Sequence, residues 1–273
     1  MAKTDNHPLV SIIMATYNEP ALLIKKSIHS ILNQDYSNIE LLIADDSTNI
    51  ETIDIINSIA NENNRVKIIR KDNKMGFVPA LNYALREAKG SLIARMDGDD
   101  VALPDRITKQ VNYALNNPTI DVFGGSMNII DENDKIISER YYPTSSLSIQ
   151  IMFAFRSPFA HPTIMFRRKI IDAGFFYNPF YRKAEDIDFF IRLYKHGYKF
   201  GNLKDKLLNY RVPNDLQEKR NREQWIFNHK ARKKFILRRP FFSIASFVIS
   251  WTYKHIPNTF VARYYRKENN KIS

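Results

Sequence analysis

Four short apolar runs, separated by helical patterns, restrict this chain more than any other feature. They lie at residues 9–15, 39–44, 66–69 and 92–96 and are rich in Ile, Leu and Val, which suits strands buried on both faces. Between them apolar residues recur at helical spacing: Leu22, Leu23, Ile28, Ile31 and Leu32, then Ile53, Ile56 and Ile59, then the stretch 77–88. An unbroken β-α-β-α-β-α-β alternation predicts an α/β fold, with a mostly parallel central sheet and helices on both faces. In an open sheet of this kind, ligands collect beyond the carboxyl ends of the strands.

Three polar clusters occupy those ends: Thr16, Tyr17 and Asn18; Asp45 and Asp46; and Asp97, Gly98, Asp99 and Asp100. Three carboxylates within four positions repel one another, so the last cluster makes most sense with a cation beside it. Magnesium or manganese suits it, because hard oxygen ligands from few residues leave coordination positions open for diphosphate oxygens. An acidic turn after a strand is ordinarily a solvated loop or a helix cap. Adjacent carboxylates in two of three loops at one sheet edge favour the ligand site.

Further along, Pro104 belongs in the first turn of a helix running to about Asn116. Residues 120–125 and 126–130 read as two strands around Gly124 and Gly125, followed by a turn at 131–134, a strand within 135–142 and a helix over 145–155. A Pro-bounded loop carries His161 into a strand ending near Arg168. A second acidic site, Glu185 and Asp186, precedes Phe189, Phe190 and Leu193 at helical spacing, which puts both acids in a first turn where the helix dipole favours negative charge. Two readings stay open there: plain capping, or one carboxylate kept ionised as general base towards an incoming hydroxyl.

The chain has 273 residues, 44% of them hydrophobic and 12% aromatic, enough to bury a full core and too apolar for disorder. Without cysteine there is no disulfide framework and no thiolate ligand or nucleophile. No apolar run follows the first lysine, so neither signal peptide nor N-terminal span is expected, and a cytoplasmic location is allowed. The net charge of +12 is uneven: residues 211–273 hold 15 Lys and Arg against 4 Asp and Glu. Within that tail, 218–239 reads as a basic helix containing Trp225, Phe227 and Phe235, ended or kinked by Pro240. The uncharged stretch 241–253 is too short to span a bilayer and suits its interface. The division is therefore a catalytic domain over 8–210 and a basic, amphipathic helical extension over 211–273. An anionic membrane surface is the expected partner of the extension, the alternative being a terminal helix packed on the domain with a solvated basic face.

With these motifs in view, the chain resembles a family 2 glycosyltransferase of the GT-A fold, of the bacterial surface-polysaccharide type. The matching stretches are 10–19, 41–47, 73–90, 94–106 and 161–193, so the resemblance spans roughly residues 8–210. It implies an inverting hexosyltransferase using a nucleotide sugar, UDP-glucose or UDP-galactose, a divalent cation (Mn2+ or Mg2+), and a lipid-linked saccharide acceptor of the polyprenyl-diphosphate GlcNAc type, at the inner face of the cytoplasmic membrane. Thr16, Tyr17 and Asn18 would shape the nucleotide pocket, and Asp46, with Asp45, would accept from the uracil. Asp97 and Asp99 would hold ribose and cation, with Asp100 beside the sugar. Asp186 matches the general base, Glu185 its supporting partner, and His161 a segment near the acceptor. Asn82 would also line the donor site; some members place an arginine beside that asparagine, where this chain has Leu81, so the cation facing the diphosphate falls to Lys74 or Arg95.

Two other classes compete. A nucleotidyltransferase would need a glycine-rich basic loop after the first strand, and residues 16–20 contain no glycine. A nucleic-acid binder working through the basic tail leaves the acidic strand ends unexplained, so no nucleic-acid partner is expected.

Overall fold

The computed structural model describes residues 7–212 together with Phe227, Lys230 and Ala231. Its first half follows the predicted alternation: β1 (Val10–Thr16), α1 (Ala21–Leu32), β2 (Ile39–Asp45), α2 (Ile50–Glu62), β3 (Val66–Ile69), α3 (Phe77–Glu87) and β4 (Leu92–Asp97). Local chemistry sets the helix starts. The Asn49 side chain caps α2 by accepting from the Thr52 amide at 3.2 Å. Gly76 enters α3 at φ 80°, a left-handed conformation that a side chain would strain.

The chain continues through β5 (Val101–Ala102), α4 (Arg106–Asn116), β6 (Val122–Ile130), β7 (Ile136–Arg140), α5 (Ser146–Phe155), β8 (Met165–Arg167), α6 (Lys169–Asp172), α7 (Glu185–Lys195) and β9 (Phe200–Arg211). The sheet order is β3-β2-β1-β4-β8-β6-β9-β5, with β7 on β6. β8 lies antiparallel between β4 and β6, and β9 runs parallel to β6. β1, β2, β3, β4, β6 and β9 therefore share one direction, giving a mixed but mostly parallel sheet. Alternate strand residues feed opposite faces. Ile12, Met14, Leu41 and Ile43 meet α1, α2 and α4 on one side. Ile13, Leu42 and Ile93 meet α3, α5, α6 and α7 on the other.

Three features depart from the sequence reading. Residues 122–130 form one strand, not two. The register against β9 shifts around Gly125, where a Cβ would come within 2.5 Å of the Leu207 side chain, so glycine there permits close passage instead of a break. β9 was not anticipated, because Phe200–Arg211 mixes Lys204, Asp205 and Lys206 into its middle and shows no clean alternation. It also carries the boundary drawn after residue 210 into its own last residue, Arg211.

The expected helix at 218–239 and the uncharged stretch 241–253 lie outside the described residues, apart from three positions. Ala231 is fully buried, and the Phe227 ring meets Phe180 edge-on at 6.0 Å. Among the described residues no helix is long and apolar enough to cross a membrane.

Candidate active site

Strand register brings the polar clusters side by side. Thr16 stands opposite Asp45 across β1 and β2, and Ala15 opposite Asp97 across β1 and β4. After β1, the buried Thr16 hydroxyl and the Tyr17 amide both donate to Glu19. Asn18 takes a left-handed φ of 57°, which Asn tolerates, and its side-chain oxygen accepts from the Thr48 and Asn49 amides at 2.8 and 2.9 Å. It thereby ties the loop after β1 to the loop after β2. Tyr17 is half exposed, with the Lys74 ammonium 3.2 Å above its ring centre.

The two aspartates after β2 have different surroundings. Asp45 is buried, accepting from the Ser47 amide at 2.9 Å and from Arg70 Nε at 2.8 Å. Asp46 accepts from the Met75 and Gly76 amides at 2.9 and 2.6 Å, which fixes the loop into α3. Of the pair, only Asp46 retains partial exposure.

At the end of β4, ligand oxygens of Asp97, Asp99 and Asp100 all lie within 4.8 Å of one another. Asp100 is fully buried. One of its oxygens accepts from the Arg211 amide at 2.8 Å, and the other is buried with no partner. Burial, and then the Asp97 and Asp99 charges, hold its carboxyl well above the usual carboxylate range. A buried unpartnered oxygen beside two like charges is the arrangement a divalent cation relieves, so these residues fit one.

Arg95, offered with Lys74 as the cation facing a diphosphate, already has an acidic partner. It is buried, and its guanidinium forks Asp97, one arm at 2.8 Å. Burial opposes its charge, but Asp97 and then Tyr177, Asp100 and Glu185 outweigh that and raise it. Beneath it, the fully buried Arg106 donates to the carbonyls of Arg95 and Pro162 at 2.7 and 2.9 Å, where β4 and the chain before β8 diverge. Burial pulls Arg106 down to about 10.

The second acidic site opens α7, with Glu185 and Asp186 in its first turn. Glu185 is nearly buried, and one of its oxygens has no partner. Burial first, and then the Asp186 charge, push its carboxyl up to about 8. His161 Nδ1 stands 3.8 Å from Glu185 Oε1, and His161 Nε2 lies 2.9 Å from the Tyr177 hydroxyl. Burial, then the Arg95 charge, hold this imidazole well below its usual range, so it is neutral. Asn82, assigned to the donor site by the resemblance, is buried. Its amide donates to the Tyr177 carbonyl at 2.8 Å and accepts from the Tyr177 amide at 2.9 Å, so both its groups are already used.

Four residues of this region were not singled out as site residues in the sequence: Glu19, Arg106, Tyr177 and Arg211. Arg211 had been counted with the basic tail. In the folded chain its guanidinium donates to the Asp99, Asp131 and Glu132 carbonyls and pairs with Asp134, tying the acidic loop to the β6–β7 turn.

A sheet of this order with acids at the β4 end is the architecture of GT-A nucleotide-sugar transferases. A solved neighbour is the mannosyltransferase PcManGT from Pyrobaculum calidifontis, in complex with GDP-Man and Mn2+. It superposes with a TM-score of 0.67 over 93% of this chain and 72% of its own, at 19% identity. The chain belongs to Glycosyl transferase family 2, whose family model matches residues 11–175. Among curated relatives, the O-antigen biosynthesis glycosyltransferase WbnJ of Escherichia coli is 36% identical, over 77% of this chain and 82% of its own. The UDP-Glc:alpha-D-GlcNAc-diphosphoundecaprenol beta-1,3-glucosyltransferase WfaP of Escherichia coli is 31% identical, over 75% and 77% respectively. The protein is thus a glycosyltransferase.

Proposed function

We propose that this glycosyltransferase is inverting and metal-dependent. It moves a hexose from UDP-glucose or UDP-galactose to a lipid-linked saccharide of the polyprenyl-diphosphate GlcNAc type, in O-antigen or capsular polysaccharide assembly. The observation that carries the reaction type is the division of carboxylates into two groups, the triad ending β4 and the pair opening α7, with Arg95 acting on both. The donor and acceptor classes draw support from the printed activity of WfaP.

Asp97 and Asp99 would hold the cation, which when bound would neutralise charge growing on the departing diphosphate. Asp46 and Tyr17 would border the nucleotide, beside an open cleft lined by Lys71, Lys74, Pro79 and Tyr83. Glu185, raised to about 8, keeps its proton at neutral pH and leaves Asp186 as the base. Asp186 takes the acceptor hydroxyl proton as that oxygen bonds to the anomeric carbon. The bond from that carbon to the diphosphate breaks, and UDP leaves with the electron pair. One displacement inverts the centre, so an α-linked donor gives a β-linked product. The basic C-terminal region would hold the enzyme peripherally on the anionic inner face of the cytoplasmic membrane, where lipid-linked acceptors are presented.

The test is release of nucleoside diphosphate from a panel of UDP- and GDP-sugars, with Mn2+ or EDTA, with and without a lipid-diphosphate GlcNAc acceptor. Acceptor-stimulated release from one UDP-hexose, abolished by EDTA and by Asp99→Ala, is the expected outcome. Release that EDTA leaves untouched, or an α-linked product from an α-linked donor, contradicts the proposal.

A further inference from the structure

We propose that Tyr177 is a positioning residue: its hydroxyl donates to His161 Nε2 and fixes the Nδ1–H tautomer, which turns the imidazole N–H towards Glu185 and holds that carboxyl in place beside Asp186. This rests on the transferase reading above, in which the α7 pair meets the acceptor.

The argument follows the protons. A neutral imidazole has one N–H, and a phenol one O–H. Burial keeps His161 neutral and Tyr177 protonated. Among the described residues the Tyr177 hydroxyl has His161 as its hydrogen-bond partner, at 2.9 Å. If Nε2 carried the proton, it would donate to the tyrosine oxygen and strand the phenol hydrogen in a buried space without an acceptor, an arrangement that costs free energy. With the proton on Nδ1, the Tyr177 hydroxyl donates to Nε2 and every proton of the pair has a direction. The remaining N–H then faces Glu185 Oε1 across 3.8 Å. That gap is about one ångström beyond hydrogen-bond reach, within range of a small side-chain rotation when the acceptor site fills.

Tyr177 is itself held from three sides. Its amide and carbonyl are both bonded to Asn82, and its ring packs on Phe189 of α7 at 4.5 Å between centres. Such a residue has little freedom to follow His161, so His161 must follow it. Asn82 thereby connects α3, on the donor side, to the orientation of the α7 pair.

The test uses the full-length chain, 15N-labelled, with imidazole nitrogen NMR and transfer kinetics on the same samples, and with His161→Asn assigning the His161 signals. Wild type should show a protonated Nδ1 and an unprotonated Nε2, and Tyr177→Phe should show mixed tautomers. That variant should lose about tenfold in kcat while its donor KM stays within about twofold, the pattern of lost positioning. His161→Asn, whose amide reaches the place of Nδ1, should keep more activity than His161→Gln, whose amide reaches the place of Nε2. An Nε2-protonated wild type, or an unchanged spectrum in Tyr177→Phe, overturns the tautomer. Expected spectra with unchanged kinetics in Tyr177→Phe overturn the positioning role alone. Expected spectra in a wild type that transfers from no donor of the panel to the lipid-linked acceptor overturn the proposed donor and acceptor and leave the tautomer standing.

Discussion

The protein gathers carboxylates twice, at the end of β4 and at the start of α7, and the two groups solve the same repulsion differently. At β4 three acids crowd within 4.8 Å, one of them buried with an oxygen that nothing satisfies. At α7 two acids share the first turn of a helix, and burial with the neighbouring charge lets one of them keep its proton. On the proposed function a cation would complete the β4 group and a proton the α7 group. That is the division a sugar transfer to an alcohol needs: charge neutralised on the leaving side, a proton accepted on the attacking side.

The largest effect that sharpens the contrast is expected from Asp186→Asn. Removing the proposed base should lower kcat about a thousandfold, as read by product formation at saturating donor, with UDP binding unchanged. A comparable loss of UDP binding would merge the two groups into one. A smaller effect is expected from Asn82→Ala, which strands the Tyr177 amide and carbonyl in a buried place. About 2 kcal/mol of stability should go, lowering the melting temperature by several degrees. A rise in donor KM without loss of stability would instead return Asn82 to the donor side.

A third effect is a pH dependence. In the folded chain Glu185 holds its proton up to about pH 8, whereas unfolded it releases it near 4.5. The unfolded state therefore binds fewer protons across that window, and stability falls as pH rises through it. Glutamine cannot ionise, so Glu185→Gln should match wild type near pH 4 and gain on it steadily as pH rises towards 8.5, by thermal melts across pH. An equal difference at both values would remove the proton from the account of α7.

Both groups were legible in the sequence because each is local. Asp97 to Asp100 follow an apolar strand directly, and Glu185 with Asp186 begins a helix whose period Phe189, Phe190 and Leu193 announce. The first half of the sheet was legible for the same reason, each buried strand being a short unbroken apolar run. What each polar group is bonded to was not legible. Asn82 meets Tyr177 across 95 positions, and the Arg211 amide meets Asp100 across 111. No periodicity encodes such pairings. Arg95 looked available for phosphate because its partner, Asp97, is two residues away on the same strand end and was itself assigned to the metal. Arg211 looked like part of a basic tail because β9, which carries it inward, has charged residues in its middle. In each case the residue type was legible and its neighbour was not.

The most direct test of the division between a metal-binding and a proton-handling group is calorimetric titration of UDP, with and without Mn2+, into Asp99→Ala and Asp186→Asn. The account predicts that metal-dependent binding disappears in Asp99→Ala and is retained in Asp186→Asn. Binding that survives unchanged in Asp99→Ala, or that is lost equally in both, would contradict it.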